Sequence, residues 1–185
     1  MSHDDPREEL VEHLPALRAF AISLTRNSAT ADDMVQDTVV KAWTNIDKFE
    51  VGTNMRAWLF TILRNTYYSS RRKAKREVAD VDGIFTESLA EKPAHDGHMQ
   101  MADFRKAFVQ LKDEQREALL LVGASGFSYE EAAQMWGVAV GTIKSRTNRA
   151  RNKLTELMGL SDDEALEMTD DATMSVISAS KVASF

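Results

Sequence analysis

Cysteine is absent from this chain of 185 residues. That excludes a disulfide-stapled scaffold, a thiol nucleophile, a zinc finger and a dithiol redox motif. Histidine is scarce: His3, His13, His95 and His98 stand at no metal-ligand spacing, so neither a metal site nor a zinc hydrolase is expected. Long apolar runs are missing as well. The longest, Ala118 to Ala124, is far too short to cross a bilayer, and the acidic start, Met1 to Leu10, lacks the basic-then-apolar order of a signal peptide. A soluble, cytoplasmic protein with no membrane partner is the expectation. Enzymatic signatures are also missing. No Ser-His-Asp order, glycine-rich phosphate loop or carboxylate pair at metal spacing is present, so the chain is read as no enzyme and without a cofactor. The acidic clusters Asp32-Asp33 and Asp162-Asp163-Glu164 fall at predicted helix starts, where they favour the helix dipole.

What is present is enough to fold. A content of 43% hydrophobic and 28% charged residues is ordinary for a globular chain, of a length that makes one large domain or two small ones. The net charge of −6 is unevenly spread. Met55 to Arg76 carries Arg56, Arg64, Arg71, Arg72, Lys73, Lys75 and Arg76 with no acid, and Gly141 to Leu154 carries Lys144, Arg146, Arg149, Arg151 and Lys153 with no acid. These islands hold 12 of the 23 basic residues and leave the other 11 against all 29 acids. A single charge run reads as a solvated helix face. Two acid-free islands, each continuing an amphipathic helix, point instead to two anion-binding surfaces.

No strand pattern and no internal repeat stands out, so the predicted fold is all-α. Asp5, Pro6 and Glu8 suit the start of a first helix, whose apolar positions are Leu10, Leu14, Leu17, Ala21 and Leu24, with a kink or split at Pro15. Thr30 with Asp33 is expected to open a second helix with Val35, Val39, Ala42 and Ile46 inward. A loop from Asp47 to Asn54 leads to a third helix, Met55 to about Lys75, with Leu59, Ile62 and Thr66 inward. Residues 1–76 are read as the first domain. Residues 77–98, with six acids, one lysine, Gly83, Pro93 and Gly97, are read as a linker whose Val81, Ile84, Phe85 and Leu89 are apolar enough to dock. Residues 99–158 form the second domain, with a helix around Ala107, Phe108 and Leu111 and another from Asp113 to Val122. Residues 159–185 form an acidic tail, flexible over its last dozen residues, with one short helix capped by Ser161 and Glu164.

The clearest motif lies in the second domain. Ser128 to Trp136, a turn at Gly137 to Ala139, and a helix from Val140 to Met158 have the form of a helix-turn-helix. Ser128 and Glu131 make a capping box, Ala132 and Ala133 allow a close crossing, and Gly137 supplies a left-handed turn residue. Ile143, Thr147, Ala150, Leu154 and Leu157 recur at helical spacing and are expected inward. That leaves Lys144, Ser145, Asn148 and Arg149 outward, flanked by Thr142, Arg146 and Arg151. Cationic and amide side chains on one helix face are what reading base edges and phosphates in a major groove requires. Ala139 and Val140 give that helix no strong cap, and Gly141 weakens its first turn.

The first domain carries a different pattern. The loop Lys48 to Asn54 precedes Arg56-Ala57-Trp58, and Tyr67 and Tyr68 stand near the basic run. Aromatic and amide groups beside cations suit unstacked, single-stranded bases, although Trp43, Trp58 and Phe60 fit a core equally well at helical spacing.

With these motifs the chain resembles the group-four, extracytoplasmic-function sigma factors of bacterial RNA polymerase. Asp32-Asp33-Met34-Val35-Gln36-Asp37-Thr38-Val39-Val40-Lys41-Ala42-Trp43 is similar to the family's core-polymerase-binding segment. Asn54 to Asn65 resembles its promoter-melting region, and Val140 to Leu154 its upstream-element reader. Gly123 to Ala133 together with Val140 to Arg146 is most similar to the general-stress-response (EcfG-like) type of alphaproteobacteria.

The resemblance implies two all-helical domains that engage core RNA polymerase, a region 2-like bundle and a region 4-like helix-turn-helix. It places Asp33, Gln36, Asp37 and Trp43 at the polymerase contact. It gives Lys48, Asn54, Arg56, Trp58, Asn65, Arg71 and Arg72 to the −10 element, bound as single strand. It gives Thr142, Lys144, Ser145, Arg146, Asn148, Arg149 and Arg151 to the −35 element, bound as duplex. It also implies control by a small anti-sigma protein. Two other readings are a sigma-like mimic that sequesters an anti-sigma protein and a conventional helix-turn-helix regulator. The first needs no intact DNA-facing residues, and the second leaves the first domain unexplained.

Overall fold

A computed structural model describes residues 6–79 and 99–160. The proposed linker beyond Ala79, the tail from Ser161 and the Asp5 cap lie outside the described residues. Among the described residues there are eight α-helices, one 3-10 turn, one π turn and no strand. No helix there is long and apolar enough to cross a membrane, and no group of three or more His, Asp or Glu could hold a metal ion. The helices form two compact units.

The first unit holds α1 (Pro6–Glu12), most of α2 (Leu14–Thr25), α3 (Ser28–Thr44) and α4 (Met55–Ala79). Pro15 lacks the N–H that would continue α1, so the chain breaks at His13, and the helical bonding restarts where the Leu17 N–H meets the His13 carbonyl at 3.0 Å. Leu10, Leu17, Ala21 and Leu24 are buried as their spacing requires, and Leu14 is half-buried. Phe60 belongs to the core, its ring 5.1 Å from that of Phe20.

Two expectations for α3 need correction. Its cap is Asn27, whose side-chain oxygen accepts from the Thr30 N–H at 2.9 Å, so the helix starts two residues before Thr30. Its buried stripe is Ala31, Met34, Thr38 and Ala42, while Val35 and Val39 are only half-buried. Alanine and threonine allow close approach to α4, a gain that hydrophobicity alone does not reveal. Where α3 faces α4, the Lys41 ammonium donates to the Thr66 hydroxyl at 2.9 Å. Arg18 grips Asp32 at 2.7 and 3.4 Å, tying α2 to α3. That hydrogen bond, with the charge of Asp32 behind it, outweighs desolvation and raises the Arg18 pKa. After the 3-10 turn Ile46–Lys48, α4 runs to Ala79, three residues past the predicted boundary of the first domain.

The second unit holds α5 (Met99–Val109), α6 (Asp113–Leu119), α7 (Tyr129–Trp136) and α8 (Val140–Met158). The helix predicted from Asp113 to Val122 is α-helical only to Leu119. It then widens into a π turn, Leu120–Ala124, in which the Ser125 N–H reaches the Leu120 carbonyl at 2.8 Å. Helix α8 packs against α5, α6 and α7. Phe104, Phe108, Leu111, Leu119, Leu120, Leu121, Ile143 and Leu154 fill the core. The buried Arg116 directs its guanidinium to the carbonyls of Leu111 and Val109 at 3.0 and 3.3 Å.

Candidate nucleic-acid interface

Helices α7 and α8 and the turn between them have the helix-turn-helix form. The Ser128 hydroxyl accepts from the Glu131 N–H at 3.0 Å, and the Glu131 carboxylate accepts from the Ser128 N–H at 2.8 Å. Ala132 and Ala133 are buried. At the other end of α7, Gly137 takes φ +62, and the Val138 N–H returns to the Ala133 carbonyl at 3.1 Å. Helix α8 then starts without a side-chain cap at Ala139.

Ile143, Thr147, Ala150 and Leu154 are buried and fix the rotation of α8, while Leu157 is half-buried. Lys144, Asn148 and Arg149 are left exposed, and Thr142, Ser145, Arg146 and Arg151 are half-buried. The side chains of this group differ in their engagements. Arg149 has no hydrogen bond and no ion pair among the described residues, and the Lys144 ammonium lies 5.7 Å above the Tyr129 ring. Arg146 meets Glu114 of α6 at 3.0 Å. Between the starts of α6 and α8 lies an open groove of about 440 Å³, lined by Lys112, Glu114, Gln115, Gly141, Thr142, Ser145, Arg146 and Arg149. Lys112, Glu114 and Gln115 were missed in the sequence. They lie some thirty residues before the α8 side chains of the groove, and only the packing of α6 on α8 brings them together.

In the first unit the residues expected at the −10 element do not share one pocket. Lys48, Asn54, Arg56 and Trp58 gather around the start of α4. Lys48 donates to the Asn45 side chain at 2.7 Å, and the Asn54 side chain accepts from the Ala57 N–H at 3.0 Å, capping α4. Phe49 is buried against the half-buried Trp58. Arg56 lies over the Phe60 ring at 5.6 Å. At 1.5 Å per residue, Arg71 and Arg72 are about 23 Å further along the helix. Trp58, Asn65 and Arg72 recur every seven residues and share one face of α4, whereas Arg56 is about half a turn away from Asn65. Arg71 donates to the Tyr67 hydroxyl at 3.0 Å, Arg72 donates to Ser69 at 3.3 Å, and Arg64 covers Tyr68 at 4.8 Å.

A third surface is the outer face of α3. Asp33, Gln36 and Asp37 are exposed there, beside two large apolar side chains, Val40 at 63% and Trp43 at 53% exposure. The Arg7 guanidinium lies 5.1 Å from the Trp43 ring. Trp43 is therefore not core, and Val40 adds to the patch. Acids around an exposed tryptophan and valine suit a protein contact better than a nucleic-acid one.

Comparison with known proteins gives a consistent picture. Residues 10–77 match the Sigma-70 region 2 family and residues 101–154 the Sigma-70 region 4 family. The chain is 51% identical over 174 residues to the ECF RNA polymerase sigma factor EcfG of Rhodopseudomonas palustris (strain TIE-1), covering 94% of this chain and 96% of that protein. Among solved structures it is similar to the sigma factor RpoE in its co-crystal with the anti-sigma factor NepR from Bartonella quintana. That match has 57% identity and a TM-score of 0.75, and covers 83% of this chain and 96% of that chain. It is also similar to CnrH in complex with the cytosolic domain of CnrY, at 31% identity and a TM-score of 0.59, covering 82% and 86% of the two chains.

Proposed function

The chain belongs to the extracytoplasmic-function sigma factors of the sigma-70 family, and we propose that it directs core RNA polymerase to promoters of general-stress-response genes under the control of a small anti-sigma protein. The observation that carries the DNA-binding part is the two-sided character of α8. Its buried stripe of Ile143, Thr147, Ala150 and Leu154 holds Lys144, Asn148 and Arg149 outward, the last with no ion pair among the described residues. In a major groove Arg149 is suited to a guanine edge and Asn148 to an adenine edge, while Lys144 and Thr142 reach phosphates.

The surfaces of the first unit take the other tasks. The outer face of α3, with Asp33, Gln36, Asp37, Val40 and Trp43, docks core polymerase. The loop around Lys48 to Asn54, with Arg56 and Trp58, captures an unstacked base of the −10 element. Asn65, Arg71 and Arg72 follow the strand along α4, where cations next to aromatic rings favour single-stranded nucleic acid. Anti-sigma control is supported by the likeness to sigma factors solved with NepR and with the cytosolic domain of CnrY. A protein that covers the α3 face denies it to polymerase.

Run-off transcription with purified chain, sigma-free core polymerase and a template carrying a promoter of the general-stress type tests the proposal. A discrete transcript is expected only when both proteins are present. No transcript, with a small anti-sigma protein still bound by the chain, would leave the sequestering mimic as the better reading.

A further inference from the structure

The groove between the starts of α6 and α8 has a charge arrangement that the reading of α8 alone does not explain. Three cations, Lys112, Arg146 and Arg149, line it together with one acid, Glu114. Asp113, next to that acid, faces the other way, 3.6 Å from Arg116. Arg146 is the most enclosed of the three cations with its side chain 21% exposed, and its guanidinium is met by the Glu114 carboxylate at 3.0 Å. Glu114 itself is 62% exposed and free to swing into water. Ser145 and Gln115 add polar groups to the walls. Gly141 has nothing within 4 Å of the place where a Cβ would be, so an approaching ligand meets backbone rather than side chain there.

Carboxylate and phosphate offer the guanidinium fork the same pair of anionic oxygens. We propose that this groove seats a backbone phosphate of the −35 duplex, and that in the free protein the Glu114 carboxylate occupies the phosphate's place on Arg146. The inference rests on the proposed −35 role of α8 and adds to it a residue that weakens binding. DNA enters by displacing Glu114, which rotates outward. Arg146 passes from one anion to another, and Lys112 closes on the phosphate from the other wall, while Arg149 at the rim stays directed to the bases. Until then the internal anion keeps Arg146 oriented and lowers the attraction of the groove for any duplex.

The test uses holoenzyme, assembled from core polymerase and the full chain, in equilibrium binding to a fluorescent promoter duplex across a salt series. Glu114→Gln is expected to raise affinity about two- to fivefold, the scale of one exposed charge contact. It is also expected to steepen the salt dependence by up to about 0.9 in the log–log slope, as one more phosphate is neutralised without an internal ion to displace. Arg146→Gln lowers affinity, and adding Glu114→Gln to it produces no further gain. Asp103→Asn, the same charge change at an exposed residue of α5 that does not line the groove, stays within about 1.5-fold because salt screens an exposed charge.

Unchanged or weaker binding by Glu114→Gln would overturn the inference. So would a gain that persists undiminished in the Arg146→Gln background, or one that Asp103→Asn matches, since either would mean general repulsion. If wild-type holoenzyme fails to distinguish the promoter from a duplex with a scrambled −35 element, the proposed function fails and this inference with it. If it does distinguish them, and Arg149→Ala weakens the distinction while Glu114→Gln changes nothing, only the phosphate seat fails.

Discussion

The rings of Phe49 and Trp58 meet at 5.2 Å, tilted by 44°, so the loop that enters α4 is anchored by the helix it precedes. Phe49 is the buried partner, and Trp58 keeps part of its surface outside. Phe49→Ala removes the anchor and leaves a cavity. It should cost about 3 kcal/mol in denaturant unfolding, toward the lower end of the range for buried phenylalanines. Holoenzyme carrying it should open promoters poorly, as read by permanganate reactivity of the −10 thymines. Phe49→Leu keeps most of the packing and should restore most of both. A Phe49→Ala protein with normal opening would mean the loop is not held by this contact.

Gly137 and Gly141 are predicted to respond to alanine with opposite signs. Gly137 has φ +62, a left-handed conformation in which a Cβ is strained even though space is open around it, so Gly137→Ala should destabilise by about 1 kcal/mol. Gly141 is in ordinary helical backbone near the start of α8, with nothing within 4 Å of the added methyl. Gly141→Ala should therefore stabilise by roughly 0.5–1 kcal/mol. Thermal unfolding of the two variants checks the signs. If Gly141→Ala is more stable yet weakens promoter binding, the glycine serves DNA approach at the expense of the helix.

Local chemistry made much of this fold legible. The Ser128–Glu131 box, the Gly137 turn, the break before Pro15 and the rotation of α8 depend on neighbours within a few residues, and spacing reveals those. Failures came where tertiary packing decides. The inner stripe of α3 is Ala31, Met34, Thr38 and Ala42 because α4 comes close, while the more hydrophobic Val35 and Val39 stay half-buried. The π turn after Leu119 leaves no periodic mark. Lys112 and Glu114 became neighbours of Arg146 only through the packing of α6 on α8. Asn54 looked like a base contact and also caps α4, two tasks that residue type cannot separate.

Trp43 offers a separation of stability from function. Its side chain is 53% exposed, with the Arg7 guanidinium 5.1 Å from its ring, so Trp43→Ala should cost no more than about 1 kcal/mol of stability. An exposed tryptophan at the centre of a protein contact carries about 2 kcal/mol or more of binding. Association with core polymerase, followed by fluorescence titration, should therefore weaken by at least about thirtyfold while the unfolding midpoint barely moves. Val40→Ala should follow in the same direction with a smaller loss. Equal losses in stability and binding would move Trp43 into the scaffold.

Arg149 and Arg72 are both exposed cations, and the difference in their settings predicts different failures. Arg149 stands on the outer face of α8 with no partner among the described residues, so its removal should leave stability within about 0.5 kcal/mol. Its loss should reduce discrimination between the correct −35 element and single-base variants by about 1–3 kcal/mol at the position it reads. Arg72 lies in the basic run of α4, and among the described residues its side chain bonds to Ser69 of the same helix. Arg72→Ala should weaken binding evenly across promoter sequences and reduce the magnitude of the log–log salt slope by about 0.7, the value for a single-strand phosphate. Competition binding with a set of −35 variants at two salt concentrations separates the cases, because a base contact alters the ranking of sequences and a phosphate contact shifts all of them together. If Arg149→Ala shifts every sequence equally, Arg149 is a phosphate contact, α8 is rotated in the groove away from the face assigned to it, and Lys144 takes its place as the candidate for base recognition.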